Sequence, residues 1–170
     1  MITVKHISKS FADVQILKDV SFVFETGKTN LIIGKSGSGK SVLTKCIVGL
    51  FEPDEGEIFY DERKLSDLKP KARKEIRKEI GMLFQASALF DSLTVEENVA
   101  FPLNMFTKMT KEEISDRVNF CLNRVNIINK NQLFPSELSG GMQKRVAIAR
   151  AIAMQPKYLF CDEPNSGLDP

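Results

Sequence analysis

Apolar residues in this chain fall into short runs of two different periods, and the exchange between them sets out an α/β domain. Residues 2–6 and 20–24 are rich in β-branched and aromatic side chains and predict strands, joined by a loop over 11–15. Glu25-Thr26-Gly27-Lys28 turns the chain into Asn30-Leu31-Ile32-Ile33, an apolar run of strand type. Over 42–48 the spacing changes to steps of three and four, with Cys46 and Ile47 beneath Val42 and Leu43, which predicts a helix. Gly49 supplies a stop, Pro53-Asp54-Glu55-Gly56 a turn, and Glu57-Ile58-Phe59-Tyr60 a further strand.

Residues 62–79 hold eight Lys/Arg against four Asp/Glu, with a helix expected over 71–79. Such a charge run reads as a solvated helical face, a membrane-surface patch being the other reading. Gly81-Met82-Leu83-Phe84 predicts a strand ending at Gln85, after which 87–135 is helical in pattern. Thr94 with Glu97, and Thr110 with Glu113, each have the spacing of a capping box, the second before a helix carrying Ile114, Val118 and Leu122. Ser139 opens another helix that ends before Pro156, and Tyr158-Leu159-Phe160-Cys161 is an apolar strand. There is no internal repeat, low-complexity tract or heptad run.

The totals narrow the class. A chain of 170 residues, 42% hydrophobic and 27% charged, is long enough for one domain with a core. A net charge of +2 gives no overall reason to expect nucleic acid. No apolar run approaches the roughly 18 residues of a membrane span, and the N-terminus lacks the layout of a signal peptide. Cys46, Cys121 and Cys161 are odd in number and sit in apolar segments, which predicts buried thiols in a reducing, cytosolic compartment without disulfide or zinc.

The chemistry begins at Gly34-Lys35-Ser36-Gly37-Ser38-Gly39-Lys40-Ser41, which fits G-x-x-x-x-G-K-[ST] at every fixed position between a predicted strand and a predicted helix. Backbone N–H groups of such a loop form a nest for phosphate oxygens, and the helix N-terminus adds its dipole. Lys40 would reach the β- and γ-phosphates, and the Ser41 hydroxyl would ligate Mg²⁺. A Gly/Ser turn before a core helix is the bland alternative, which the strand–loop–helix context disfavours. At the end of the last strand come two carboxylates, Asp162 and Glu163. Ligands of open parallel sheets bind outside the carboxyl ends of strands. Asp162 is then placed to hold Mg²⁺, and Glu163 to orient and deprotonate an attacking water. Leu138-Ser139-Gly140-Gly141 starts a helix with its first-turn N–H groups uncovered, a further anion-binding feature.

Five motifs in this order carry a family resemblance: the phosphate loop, Gln85 after a strand, Leu-Ser-Gly-Gly, the apolar-Asp-Glu strand end, and Ser166-Gly167-Leu168-Asp169. The chain resembles the nucleotide-binding domain of an ABC transporter ATPase over nearly its whole length. The resemblance implies a P-loop NTPase core, with a RecA-like parallel sheet, N-terminal antiparallel strands and an inserted helical subdomain. It divides the chain into 1–86 (ATP-binding core), 87–137 (helical subdomain) and 138–170 (signature helix, acidic strand end and the loop at Asp169). It implies ATP and Mg²⁺ as cofactors, with the nucleotide held by 34–41 and Val42. Phe11 would stack on adenine. Gln85 would touch Mg²⁺ and the attacking water and link the site to the transport subunit. Ser139, Gly140 and Gly141 would grip the γ-phosphate of ATP bound to a second subunit in a head-to-tail homodimer, with Asp169 at the interface.

Asp91 where many members have Pro, Met142 where Gln is usual, and Asn98-Val99-Ala100-Phe101-Pro102-Leu103 resemble the Mla-type, toluene-tolerance ATPases that move phospholipids. That likeness implies a peripheral location on the inner face of the inner membrane, against a permease. The family's switch histidine follows the Asp169 segment, whereas the single histidine here is His6. A C-terminally truncated domain with poor ATP turnover is therefore expected. The rival readings are a non-transport ABC ATPase acting on nucleic acid or ribosomes, and a nucleotide-binding fragment without turnover. Coiled-coil insertions, tandem domains and a concentrated basic groove are all missing from the sequence, so nucleic acid is not an expected partner.

Overall fold

The computed structural model describes residues 1–85 and 87–163, which divide into two compact units after Arg77. The first unit is built on β1 (Ile2–Phe11), β2 (Val14–Phe24), α1 (Lys40–Ile47), β3 (Glu55–Tyr60), β4 (Arg63–Lys64) and α2 (Pro70–Lys78). The strands form one antiparallel sheet in the order β2-β1-β3-β4, with Val4 opposite both Phe22 and Ile58. Ile2, Val4, Ile7, Leu17, Ile58 and Tyr60 are buried, as are Leu43, Cys46 and Ile47 of α1. The Tyr60 hydroxyl donates to the Ile47 carbonyl at 2.9 Å, satisfying an acceptor that the end of α1 leaves open. Gly49, at φ 74°, then stops the helix as expected.

The hairpin strands are longer than the sequence pattern implied, because β1 carries irregularities between Lys5 and Ser8 that shift the alternation of its side chains. His6 takes φ 52° there, and Gly56 opposite takes φ 92°. A Cβ on Gly56 would lie 2.4 Å from the carbonyl oxygens of Lys5 and His6, so only glycine fits. The Asp54 carboxylate ties the strand end down, accepting from Lys9 Nζ at 2.6 Å and from the Ser10 N–H at 2.7 Å.

One expected strand does not form. Asn30-Leu31-Ile32-Ile33 has no ladder partner among the described residues, and Leu31 and Ile33 are each 82% exposed. A lone extended segment gains neither cross-strand bonds nor burial. Here the Asn30 side chain supplies local bonds instead, donating to the Glu25 and Lys28 carbonyls at 3.2 Å each.

The second unit contains β5 (Ile80–Leu83), α3 (Val95–Phe106), α4 (Lys111–Arg124), a 3-10 turn (Pro135–Glu137), α5 (Gly140–Ile152) and β6 (Tyr158–Cys161). β5 and β6 pair in parallel, from Ile80 opposite Tyr158 to Leu83 opposite Cys161. α5 passes so close to β5 that a Cβ on Gly81 would lie 2.3 Å from the Ala151 carbonyl. Val95, Val99 and Leu103 of α3, Val118, Cys121 and Leu122 of α4, and Val146 and Ala149 of α5 form a shared core. Both capping boxes form: Thr94 and Thr110 accept from the N–H groups of Glu97 and Glu113, whose carboxylates accept in return. Each is worth about 1 kcal/mol. Arg117 closes the other end of α5, donating to the Ala153 and Ile152 carbonyls at 2.8 Å each.

Cys46 and Cys121 are buried, as the sequence predicts, but Cys161 is exposed. Its strand pairs on one side only among the described residues, and alternate residues of that strand remain open. Partial desolvation still pushes its thiol up, as burial does for Cys46 and Cys121.

Candidate functional site

The phosphate loop belongs to the first unit. Gly39 caps α1 at φ 92°, and a Cβ there would lie 2.9 Å from Leu17 Cδ2, so the loop is pressed against β2 at this point. Gly37 takes φ 76° with open space around it. A Cβ on Gly34 would lie 2.7 Å from Ser38 Oγ, which shows how tightly the loop closes on itself. Lys40 folds back across it and donates from Nζ to the carbonyls of Gly34 and Lys35, at 2.9 Å each. Lys35, Ser36 and Ser38 are exposed, while Ser41 and Val42, in the first turn of α1, are half-buried. A closed cradle with its backbone exposed and one ammonium at its mouth fits a polyphosphate. Phe11 ends β1, 42% exposed, with its ring edge-on to Phe51 at 5.4 Å and Lys9 Nζ 5.5 Å from its centroid.

The carboxylates belong to the second unit. Asp162 follows β6, its N–H donating to the Leu83 carbonyl at 3.0 Å, which extends the pairing of β6 with β5 by one residue. Glu163 then turns into the left-handed region at φ 49°. That conformation costs a non-glycine residue about 1 kcal/mol or more. It brings Glu163 Oε2 within 2.6 Å of Gln85 Nε2, joining two residues that are 78 positions apart. Lys144, only 4% exposed on α5, donates from Nζ to the Glu163 carbonyl at 3.4 Å. Within the second unit, Asp162 and Gln85 carry oxygens of the kind Mg²⁺ takes, and Ser41 carries a hydroxyl of that kind in the first. No group of three or more His, Cys, Asp or Glu capable of forming an all-protein metal cage occurs among the described residues.

Ser139 caps α5, its hydroxyl accepting from the Met142 N–H at 3.3 Å. A Cβ at Gly140 would meet nothing within 4 Å, so this helix start is open to approach. Between Gln85 and α3, the Ser87 and Ala88 carbonyls accept from the Arg150 guanidinium at 2.9 and 2.8 Å. Burial pulls that guanidinium below its ordinary value. Sequence reasoning passed over Arg150 and the burial of Lys144. The signal for Lys144 was present, since Ala147 and Ala151 lie three and seven positions on and mark its face of α5 as inward. Asp169 and its neighbours from 164 onward lie outside the described residues.

The model of the ABC transporter family matches residues 17–166, and the chain belongs to that family. The methionine import ATP-binding protein MetN of Clostridioides difficile is 45% identical over all of this chain and 53% of its own length. The "Probable ribonucleotide transport ATP-binding protein mkl" of Mycobacterium leprae is 42% identical over 99% of this chain and 49% of its own. The chain thus spans about half the length of these curated relatives. The dimeric structure of the bacterial ABC transporter cassette MJ0796 superposes with a TM-score of 0.93 at 37% identity, covering 99% of this chain and 76% of that one. A post-hydrolysis state of the same cassette, bound to ADP and Pi, gives 0.91 at 36% identity over the same shares. The fold is therefore that of an ABC ATPase cassette, with its antiparallel strands and parallel sheet. Among the described residues, no helix is long and apolar enough to cross a membrane.

Proposed function

We propose that this chain is the ATP-binding and ATP-hydrolysing part of a transport cassette that works as a dimer against a membrane permease. The observation that carries the reading is the close pair Gln85–Glu163, just past the ends of β5 and β6, in a chain that also folds the Gly34–Ser41 cradle around Lys40. The cradle residues, with Val42 beneath and Phe11 for the base, bind the nucleotide. Ser41 in the first unit, and Asp162 and Gln85 in the second, would each offer an oxygen to Mg²⁺, which when bound would neutralise phosphate charge. Glu163 takes the proton of the attacking water, while Gln85 fixes that water's orientation. Ser139, Gly140 and Gly141 present an uncovered helix start to the γ-phosphate bound by the opposite subunit. The test is phosphate release by the intact protein with magnesium and ATP. Glu163→Gln keeps ATP bound and lowers turnover by at least about a hundredfold, as expected when a positioned base is removed; near-normal release overturns the assignment.

The cargo we propose is a phospholipid, supported by the run from Leu89 through Leu103 and by Met142 in the signature. A second reading, amino-acid import, is supported by the 45% identity to a protein named for methionine import. Hydrolysis by the complex of intact cassette and permease separates them. Stimulation by phospholipid vesicles alone supports the first reading, and stimulation by methionine alone supports the second.

A further inference from the structure

We propose that Lys144 is the positioning residue that holds Glu163 in its working conformation and so aligns the Gln85–Glu163 pair. The inference rests on Glu163 being the base in the reading above, and it adds a residue that acts only through the backbone of that base.

Three observations converge. First, Glu163 sits at φ 49°, where a side chain with a Cβ is strained, so something must favour this conformation over an extended one. Second, Lys144 Nζ lies 3.4 Å from the Glu163 carbonyl oxygen, and that oxygen's direction is set by the peptide that the left-handed turn swings round. Third, Lys144 is 4% exposed, on the same turn-by-turn face of α5 as Ala147 and Ala151. An ammonium is rarely buried unless a bond it makes there offsets the desolvation. Lysine has a long stem and a charged tip, so it reaches from a helix packed on the sheet to a carbonyl just past the end of β6.

The consequence falls on geometry. With the carbonyl anchored, the Glu163 carboxylate projects back to Gln85 Nε2 at 2.6 Å. Without the anchor, Glu163 relaxes toward the extended region and its carboxylate swings away from Gln85. Binding of ATP through the separate Gly34–Ser41 loop is untouched. The signature of the role is a fall in kcat with an unchanged ATP affinity. A misplacement of about 1 Å is enough for a loss of up to roughly a hundredfold.

The experiment uses the intact protein with four substitutions, one of them, Gln85→Ala, only to assign a resonance. Lys144→Met removes the donor and keeps the stem, and Lys144→Arg keeps a charged donor. Glu163→Gln reports separately on the base. ATP affinity is measured by calorimetry, turnover by phosphate release, and the pair directly by the side-chain amide resonance of Gln85, assigned through its loss in Gln85→Ala. Expected are a kcat about tenfold or more lower in Lys144→Met at wild-type ATP affinity, a shifted Gln85 amide signal, and recovery of both in Lys144→Arg. A Gln85 signal and kcat unmoved in Lys144→Met overturn the proposal even if Glu163→Gln is inactive. Normal turnover in Glu163→Gln overturns the base assignment instead, while the amide resonance still reports on Lys144. If Lys144→Met fails to fold, Lys144→Arg decides. A well-folded arginine variant that loses both kcat and the Gln85 signal overturns the proposal, and one that keeps both supports it.

Discussion

Asn98 grips Phe90 from both sides: its side-chain oxygen accepts the Phe90 N–H at 2.8 Å, and its nitrogen donates to the Phe90 carbonyl at 3.1 Å. The same nitrogen also lies 3.0 Å from the Leu93 and Thr94 carbonyls, and the residue is fully buried in the first turn of α3. A single amide thus shapes the 89–94 segment, which otherwise has no regular structure. Asn98→Leu strands the Phe90 N–H and several carbonyls, and about 2–4 kcal/mol of stability is expected to go with them. Chemical denaturation measures the loss; a midpoint within a few tenths of a kcal/mol of wild type refutes this account.

Two glycines separate folding from function. Gly56→Ala puts a methyl group 2.4 Å from two backbone oxygens at a positive φ, and the expected destabilisation exceeds about 2 kcal/mol. Gly140→Ala meets nothing within 4 Å at the start of α5, so its melting temperature stays level or rises slightly. Under the proposed role of this helix start, turnover by the intact protein is nevertheless expected to fall at least about tenfold, because the start no longer admits a phosphate closely. Parallel melting curves and phosphate-release assays check both halves.

Lys40→Ala removes the ammonium now held by the Gly34 and Lys35 carbonyls. A charge-assisted bond to phosphate is worth about 1.5–3 kcal/mol, so the ATP dissociation constant rises roughly 10- to 100-fold. Calorimetry on the intact protein reads it directly, and an unchanged constant removes Lys40 from the nucleotide site.

Asp54 supplies a pH test. Its bond from Lys9, and secondarily the Ser10 N–H, holds its carboxyl below the usual carboxylate range. A depressed folded-state pKa lends stability that is fully present above the unfolded value. That stability fades as pH falls through the folded value. Asp54→Asn therefore melts below wild type near neutrality, and the gap closes below about pH 4. A gap that is constant across this range contradicts the pairing.

Much of this was legible beforehand because the signals are local. The glycine positions of the phosphate loop, the Thr94 and Thr110 boxes and the Ser139 cap each depend on residues within a few positions of one another. The missed features depend on distant partners. Asn30-Leu31-Ile32-Ile33 has the composition of a strand, but a ladder needs a neighbour, and composition cannot supply one. Cys161 lies in an apolar run that its surroundings leave exposed. Lys144 reads as a surface cation until the alanines on its face are noticed. The long-range pair Gln85–Glu163 was not legible, since nothing in the spacing of 78 residues brings two polar side chains together.

Arg150 has one further implication. By clasping the Ser87 and Ala88 carbonyls, a half-buried guanidinium late in α5 ties residues 87 and 88 to the helix that Ser139 opens. Displacing those two residues relative to the helix would cost both bonds.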